Sequence, residues 1–366
     1  MLKKTSSRFI KQVALIFLLG AISPLSSAAD APADKTKAQA SSSDATVTND
    51  GEKRARSAGL SLLGKTGPSV TVTTIDGEKI DLASLYGKKP VYLKFWATWC
   101  VPCREQMPHF EKVFQTYGSQ IQVIAVNTGF SDDLEAVNAF RKKLNIHMPI
   151  VIDDGSLASY FNLRVTPQHI LIGRDGRIAY VGHLADQQFE AALQRVLNTD
   201  KIDFRPPAKS TATNEKVFKA GDVITNLSAQ TIADKKILLN GKSEKPRALV
   251  FFASWCESYL AESRPETSKA CLRVRETTEK LAARGDIEWL NIASGLWTTP
   301  ADVKDYIATV KPSIQITLDE SGELFRTFNA RQIPTIVLID KTGKVQRILG
   351  PQDTDIEGAI KTLNAH

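Results

Sequence analysis

Apolar residues follow two different patterns that alternate along this chain from about residue 70 onwards. Largely apolar runs at Val91–Trp96 and 121–127 have the length of buried strands. Residues 104–118 and 132–144 instead carry apolar side chains at helical spacing. This alternation predicts an α/β domain, in which helices cover both faces of a central mixed sheet.

Shorter segments complete this first unit. Residues 70–75 and 79–82 flank an Asp-Gly pair and predict a hairpin, and residues 157–163 predict a short helix. The remaining predicted elements are strands at 149–152, 170–172 and 177–181 and a helix at 189–197.

The second half of the chain repeats the first. Residues 249–256 read Leu-Val-Phe-Phe-Ala-Ser-Trp-Cys and match Leu-Lys-Phe-Trp-Ala-Thr-Trp-Cys at 93–100 in kind and order. An Ile-Pro pair that ends at Pro334 corresponds to the Thr-Pro pair that ends at Pro167. Between cysteine and proline the second copy has eleven additional residues. We therefore predict two tandem copies of one fold.

Polar segments set the predicted domain boundaries. Residues 30–59 are rich in Ala, Ser, Lys, Asp and Thr and predict a disordered linker. The first domain is predicted at 60–202 and the second at 217–366, with a polar, proline-containing linker at 203–216.

The first 29 residues are typical of a secretory signal peptide. Four basic residues precede a ten-residue apolar core at 13–22, and small residues follow up to Ala29. Ten apolar residues are about half of what spans a bilayer, so a cleaved signal is favoured over a membrane anchor. We expect export to the periplasm, with cleavage near Ala28 or Ala29.

The net charge points to no polyanionic partner. Removal of the leader's four basic residues lowers the formal charge from +7 to +3, so nucleic-acid binding is not predicted. The five histidines are scattered without ligand spacing, and we predict neither a metal site nor a cofactor.

The chemistry is predicted to lie at Cys100 and Cys103. Cys100 stands where an apolar strand meets a helix, and the unpaired N–H groups of a helix N-terminus favour a thiolate over a thiol. In such a setting a cysteine pKa can fall from about 8.5 to about 3.5–7.5. Cys103 lies one turn further, so the two sulfurs can form a disulfide or separate into a dithiol.

A zinc half-site and a pair of structural thiols are the alternatives for these two cysteines. Zinc ribbons use two closely spaced cysteine pairs, whereas the remaining cysteines, Cys256 and Cys271, are fifteen positions apart. Redox chemistry is therefore favoured over zinc binding.

Residues 96–104, Trp-Ala-Thr-Trp-Cys-Val-Pro-Cys-Arg, together with Val-Thr-Pro at 165–167, resemble the thioredoxin superfamily. The similarity is closest to exported thiol–disulfide oxidoreductases of the TlpA/ResA type and extends over about residues 60–198. The second copy shares the fold landmarks only. The resemblance implies two thioredoxin-like domains, with Cys100 as the attacking thiol and Cys103 as the resolving thiol.

The resemblance also implies a substrate surface. Pro167 would be a cis-proline that faces the disulfide, and the Thr166 backbone would pair with an extended substrate segment. Trp99 directly precedes the reactive thiol, and we expect it to be partly exposed in this surface. Ordinary core packing is the alternative role for Trp99.

One position departs from the family pattern. Relatives commonly have Glu three residues after the second cysteine, where this chain has Gln106. A buried carboxylate there would shuttle protons and raise thiol pKa values. Without it, water or another group must accept the proton. Pro102 inside the pair is of the kind seen in reducing members and favours a reductase.

The second copy lacks the resolving thiol, because Tyr259 occupies its position. Cys256 could bond to Cys271, although one continuous helix would separate them by about 22 Å. A fold-back at 263–266, which reads as a capping box, would permit the bond. Alternatively, both thiols are free and structural, or Cys256 handles mixed disulfides or a metal such as copper.

The sequence thus predicts a periplasmic thiol–disulfide oxidoreductase that reduces protein disulfides. Its expected partners are disulfide-bearing proteins and a membrane-embedded thiol reductant, and cytochrome c biogenesis is a plausible pathway. The alternatives are a disulfide oxidase or isomerase, or a client-binding module with accessory redox activity.

Overall fold

The computed structural model describes residues 50–199 and 216–364, and the predicted signal peptide and most of the predicted linker at 203–216 lie outside these ranges. Both predicted copies form five-stranded mixed sheets flanked by helices. The α/β fold class with two thioredoxin-like domains is confirmed.

The first domain has strand order β5-β4-β3-β6-β7. Strands β3, β4 and β5 are parallel, whereas β6 and β7 run antiparallel to their neighbours. Its elements are α1 (50–59), β1 (Thr71–Thr73), β2 (Lys79–Asp81), a 3-10 turn (Leu82–Leu85), β3 (Val91–Trp96), α2 (Val101–Tyr117), β4 (Gln122–Asn127), α3 (Leu134–Leu144), β5 (Ile150–Ile152), α4 (Ser156–Tyr160), β6 (Gln168–Ile172), β7 (Ile178–Gly182) and α5 (Gln187–Leu197).

The second domain repeats this arrangement, with strand order β12-β11-β10-β13-β14. Its elements are β8 (Ser228–Gln230), β9 (Lys236–Leu238), β10 (Arg247–Phe252), α6 (Cys256–Ser263), α7 (Pro265–Ala282), β11 (Glu288–Ser294), α8 (Pro300–Val310), β12 (Ile316–Asp319), α9 (Glu323–Thr327), β13 (Thr335–Ile339), β14 (Val345–Leu349) and α10 (Ile356–Asn364).

Helix α1 corrects the predicted linker at 30–59, of which only residues 50–59 are described. The Glu52 carboxylate accepts the backbone N–H groups of His183 and Leu184 at 2.6 and 2.8 Å. Ala55 and Ala58 are buried against the domain. Polar composition suggested disorder, but tertiary contacts that composition does not reveal hold this segment in a helix.

The long helix of the first domain is divided in the second. The backbone at Arg264 (φ −144°, ψ 64°) ends α6, and α7 begins at Pro265. The expected capping box is absent, since the N-cap of α7 is Arg264 and its side chain makes no capping hydrogen bond to the start of the helix. The break nevertheless supplies the fold-back, and it brings Cys256 and Cys271 to a Cα separation of 6.3 Å in a disulfide.

Candidate active site

Cys100 lies at the junction of the loop after β3 and helix α2. It is the N-cap residue, and its sulfur accepts the Cys103 N–H at 3.2 Å. The two cysteines form a disulfide, with Cα atoms 5.2 Å apart. Once the bond is reduced, the N–H groups and partial positive charge of the helix end stabilise a thiolate on Cys100.

A proline loop faces this disulfide from the start of β6. The Thr166–Pro167 peptide bond is cis, as the resemblance implied. The Cys100 sulfur lies 3.4 Å from the Thr166 carbonyl oxygen. The His183 ring N–H donates to the Pro167 carbonyl oxygen at 2.7 Å and so holds the loop from behind. The structure therefore brings Cys100, Cys103, Thr166 and Pro167 together.

Trp99 is buried, which corrects the expectation of partial exposure. Only 2% of it is exposed, and its indole N–H donates to the Phe130 carbonyl oxygen at 2.8 Å. Its ring packs against Trp255 and Tyr259 of the second domain, at centroid distances of 5.0 and 6.3 Å. Trp99, directly before Cys100, thus lies in the contact between the two domains.

The second domain covers the disulfide. The Val101 N–H donates to the Tyr259 hydroxyl at 3.0 Å, and the Trp297 indole N–H donates to the Thr166 hydroxyl at 3.5 Å. With these side chains in place, Cys100 is 1% exposed and Thr166 is fully buried. Tyr259 occupies the second copy's resolving position, so the equivalent faces of the two domains meet here.

Two equivalent hydrogen bonds reinforce this face-to-face arrangement. The Ser131 N–H donates to the Arg331 carbonyl oxygen, and the Trp297 N–H donates to the Arg164 carbonyl oxygen, both at 2.7 Å. Trp297 and Arg331 correspond to Ser131 and Arg164 in the repeat, and Ser131 and Trp297 share a φ of 56°. The two domains therefore contact each other in a pseudo-twofold manner.

An ion pair also joins the domains beside the active-site loop. Arg264 of the second domain binds the buried carboxylate of Asp132 at 2.9 Å and also donates to the Thr98 hydroxyl. Asp132 accepts the Thr98 N–H at 2.7 Å and the Asn127 amide at 2.8 Å. Its carboxylate thus fixes both the loop before Cys100 and the domain interface.

Known proteins resemble the first of these domains. Residues 63–181 match the AhpC/TSA family. The chain is 33% identical over 139 residues to the thiol-disulfide oxidoreductase ResA of Bacillus cereus, and the match covers 37% of this chain and 78% of ResA. It is 35% identical over 133 residues to the thioredoxin-like protein YneN of Bacillus subtilis, where the match covers 36% of this chain and 78% of YneN.

The chain belongs to the ResA-like thiol–disulfide oxidoreductase family. Among solved structures, StoA from Bacillus subtilis is 26% identical, with a TM-score of 0.31, and the match covers 34% of this chain and 99% of StoA. The family match ends at residue 181, so it lies within the first domain.

The ResA-like domain has a buried polar network beneath its cysteine pair. Gln106 accepts the His169 ring N–H at 2.9 Å and lies 3.5 Å from the Lys94 amine. The Gln106 amide donates to the His183 carbonyl oxygen at 3.2 Å. The Tyr92 hydroxyl lies 2.7 Å from the other His169 ring nitrogen. This network stands where the family pattern places a carboxylate.

Burial sets the protonation of this network. Desolvation lowers the pKa of the Lys94 amine to about 7 and holds the pKa of His169 well below its usual value. Burial also lowers the pKa of His183. His169 is therefore neutral at neutral pH, and it is a buried residue of strand β6.

Two functional candidates were missing from the sequence predictions. Lys94 is the single charged residue in the apolar run at Val91–Trp96, and that interruption was a usable signal. Asp132 precedes helix α3 in a polar stretch, and no sequence pattern distinguishes it from its neighbours.

Within the described ranges, no group of three or more potential ligands is placed to hold a metal ion.

In the part of the chain that the structure describes, no helix combines the length and apolar character that crossing a bilayer requires. The predicted leader at residues 1–29 lies outside that part.

Proposed function

We propose that this protein reduces disulfide bonds in exported protein substrates and works in the periplasm. The observation that carries the proposal is the Cys100–Cys103 disulfide at the N-terminus of α2, opposite the cis-proline loop at Pro167. Membership of the ResA-like family supports thiol–disulfide exchange, and Pro102 between the two cysteines supports the reducing direction.

The proposed cycle starts from the dithiol. The Cys100 thiolate attacks one sulfur of a substrate disulfide, which forms a Cys100–substrate bond and releases the first substrate thiolate. Cys103 then loses its proton and attacks the Cys100 sulfur, which releases the second substrate thiolate and leaves the Cys100–Cys103 disulfide. Two electrons have passed to the substrate, so a membrane-embedded dithiol must supply two electrons to restart the cycle.

Trp99, Thr166 and Pro167 are proposed to form the docking surface. In the structure that surface contacts Tyr259 and Trp297 instead of a substrate. Exchange with a folded protein therefore requires the second domain to move away from the first. The same aromatic surface of the second domain would then face solvent and could hold a client, which favours client binding as the second candidate function.

Trapping of mixed disulfides tests the proposal. The Cys103→Ser variant retains the attacking thiol and lacks the resolving one, so reduced protein should accumulate disulfide-linked substrates through Cys100. A Cys100→Ser variant is the matched control and should trap none. If both variants capture the same proteins equally, the link does not depend on Cys100 and the proposed reaction is wrong.

The reduction potential of the Cys100/Cys103 couple tests the direction. A value near thioredoxin's, about −270 mV, supports a reductase, whereas a value near that of DsbA, about −120 mV, supports an oxidase and contradicts the proposed direction.

A further inference from the structure

The resolving step requires a group that accepts the proton of Cys103, and this chain lacks the carboxylate that relatives commonly have near this cysteine. With the second domain in place, Cys103 is fully buried and bulk water does not contact its sulfur. The position three residues later, where relatives commonly have Glu, is Gln106, and an amide cannot take up a proton near neutral pH. The acceptor must therefore be another group near helix α2.

The side chain of Lys94, on strand β3, lies against helix α2. It extends from β3 toward α2, because its amine lies 5.2 Å from the centre of the Phe110 ring and 3.5 Å from the side-chain amide oxygen of Gln106. Gln106 is one turn after Cys103, and side chains three positions apart on a helix have Cβ atoms about 5–6 Å apart. The amine thus lies against the face of helix α2 that carries Gln106, Phe110 and Cys103.

The surroundings leave this amine without a counter-ion. Within the described residues, Lys94 makes no ion pair with a carboxylate, and burial lowers its pKa to about 7. A fraction of the amine is consequently neutral at physiological pH and able to accept a proton. The titratable groups that interact with it are His169 on β6 and His183 after β7. Tyr92 and His109 interact in turn with His169, and Glu52 of α1 lies beyond His183.

The second domain shows that the fold does not require this lysine. Lys94 pairs with His169 across strands β3 and β6. At the equivalent position Val250 pairs with Ile336 across β10 and β13, and both are buried. Burial of an unpaired lysine costs stability, whereas the second copy uses two apolar residues at no such cost. The Lys94–His169 pair thus occurs in the domain that has the Cys-x-x-Cys pair, and the domain that shares only the fold lacks it.

We propose that Lys94 is the proton acceptor for Cys103 in the resolving step. In this step the Cys103 S–H bond breaks and an N–H bond forms on the Lys94 amine. The Cys103 thiolate then forms its bond to the Cys100 sulfur, and the bond between Cys100 and the substrate breaks. The ammonium releases its proton to solvent before the next cycle. The assignment rests on the proposed two-cysteine exchange.

Reaction of the reduced full-length protein with dithiobis-nitrobenzoate separates the two steps. Attack by Cys100 releases the first coloured thiolate, and attack by Cys103 on the mixed disulfide releases the second. We expect the rate of the second phase to rise with pH around a midpoint near 7. In Lys94→Met the midpoint should move to about 8.5 or above, the ordinary range of a thiol, and the rate at pH 7 should fall about tenfold or more.

Controls separate proton transfer from packing. Lys112→Met makes the same change at an exposed position on α2 and should leave both phases unchanged. Lys94→Gln retains a polar contact with Gln106 and should shift the second midpoint as Lys94→Met does, which provides a second variant if the first does not fold. The first phase should be unaffected in all three.

Each other outcome decides against a specific claim. A second phase that keeps its wild-type midpoint in folded Lys94→Met or Lys94→Gln overturns the assignment, and so does a slowing that is equal at every pH, which would indicate a packing role. Absence of the first phase in the wild type would instead contradict the proposed exchange at Cys100, independently of Lys94.

Discussion

The two thioredoxin-like domains share a strand order, a cis-proline before the fourth strand of the sheet and a Trp-Cys pair at the start of a helix. They differ three residues after that cysteine. The first domain has Cys103, which closes a local disulfide, whereas the second has Tyr259, which donates no sulfur and instead accepts the Val101 N–H. The second copy thus retains the fold but not the pair of exchanging cysteines.

This difference extends to the residues around the cysteines. Cys256 is bonded to Cys271 of a separate helix, so the second copy uses its disulfide to join α6 to α7. Beneath the pair, the first domain has the polar Lys94–His169 pair where the second has Val250 and Ile336. We relate this difference to the proposed proton transfer. The first domain keeps buried polar groups that cost stability, whereas the second domain, which lacks the exchanging cysteines, has apolar residues there.

The largest expected effect concerns the second disulfide. Replacement of both cysteines in Cys256→Ser/Cys271→Ser opens a loop of fifteen residues, and we expect the free energy of unfolding to fall by about 3 kcal/mol. Denaturant titration measures this loss. Exchange at Cys100 should remain at the wild-type level, which the first phase with dithiobis-nitrobenzoate reports. A loss of that phase would show that the second disulfide takes part in the chemistry.

A smaller effect is expected in the pH dependence of stability. Burial lowers the Lys94 pKa to about 7 in the folded state, while an unfolded lysine titrates near 10.4. Between these values the unfolded chain binds more protons, so this residue makes stability rise with pH above about 7 and contributes no slope below it.

We expect the free energy of unfolding of the wild type to increase by about 2–3 kcal/mol relative to Lys94→Met between pH 7 and 9. All other titrating groups are common to both proteins, so their contributions cancel in the difference between the two free energies of unfolding. Denaturant titrations at several pH values supply the measurement, and Lys112→Met should follow the wild type throughout. A constant difference would mean that Lys94 keeps an ordinary pKa in the folded protein.

The sequence was sufficient for the parts of the molecule that depend on local pattern. The repeat, the strand–helix alternation and the position of Cys100 at a helix N-terminus all follow from apolar spacing and from the Cys-x-x-Cys pair. The cis geometry at Pro167 followed from family resemblance rather than from spacing, because a local pattern does not distinguish the two isomers.

What the sequence did not reveal depends on contacts between distant residues. Trp99 was expected at the surface because it adjoins a reactive thiol, but a domain that begins more than a hundred residues later covers it. Helix α1 was assigned to a linker because its stabilising contact, from Glu52 to the backbone at His183, joins residues 131 positions apart. Neither contact leaves a periodic signal in the chain.

The smallest expected effect tests whether the two faces must separate for catalysis. Arg264→Ala removes the ion pair with Asp132 and the hydrogen bond to Thr98 across the interface, while Asp132 keeps its bonds from Thr98 and Asn127. Loss of about 1.4 kcal/mol of closing energy raises the open fraction about tenfold, so reduction of a protein disulfide should accelerate by up to that factor.

Arg275→Ala is the matched control for this change. Arg275 pairs with Glu257 at 2.7 Å inside the second domain, with similar exposure, and its loss should leave the rate unchanged. Small disulfides enter a partly opened interface more readily than folded proteins, so their reduction should respond less to Arg264→Ala. If both substrates and both variants behave alike, the interface does not limit access, and the buried state of Cys100 has no bearing on turnover. A selective gain with the protein substrate would instead identify the second domain as a cover that the first domain must release.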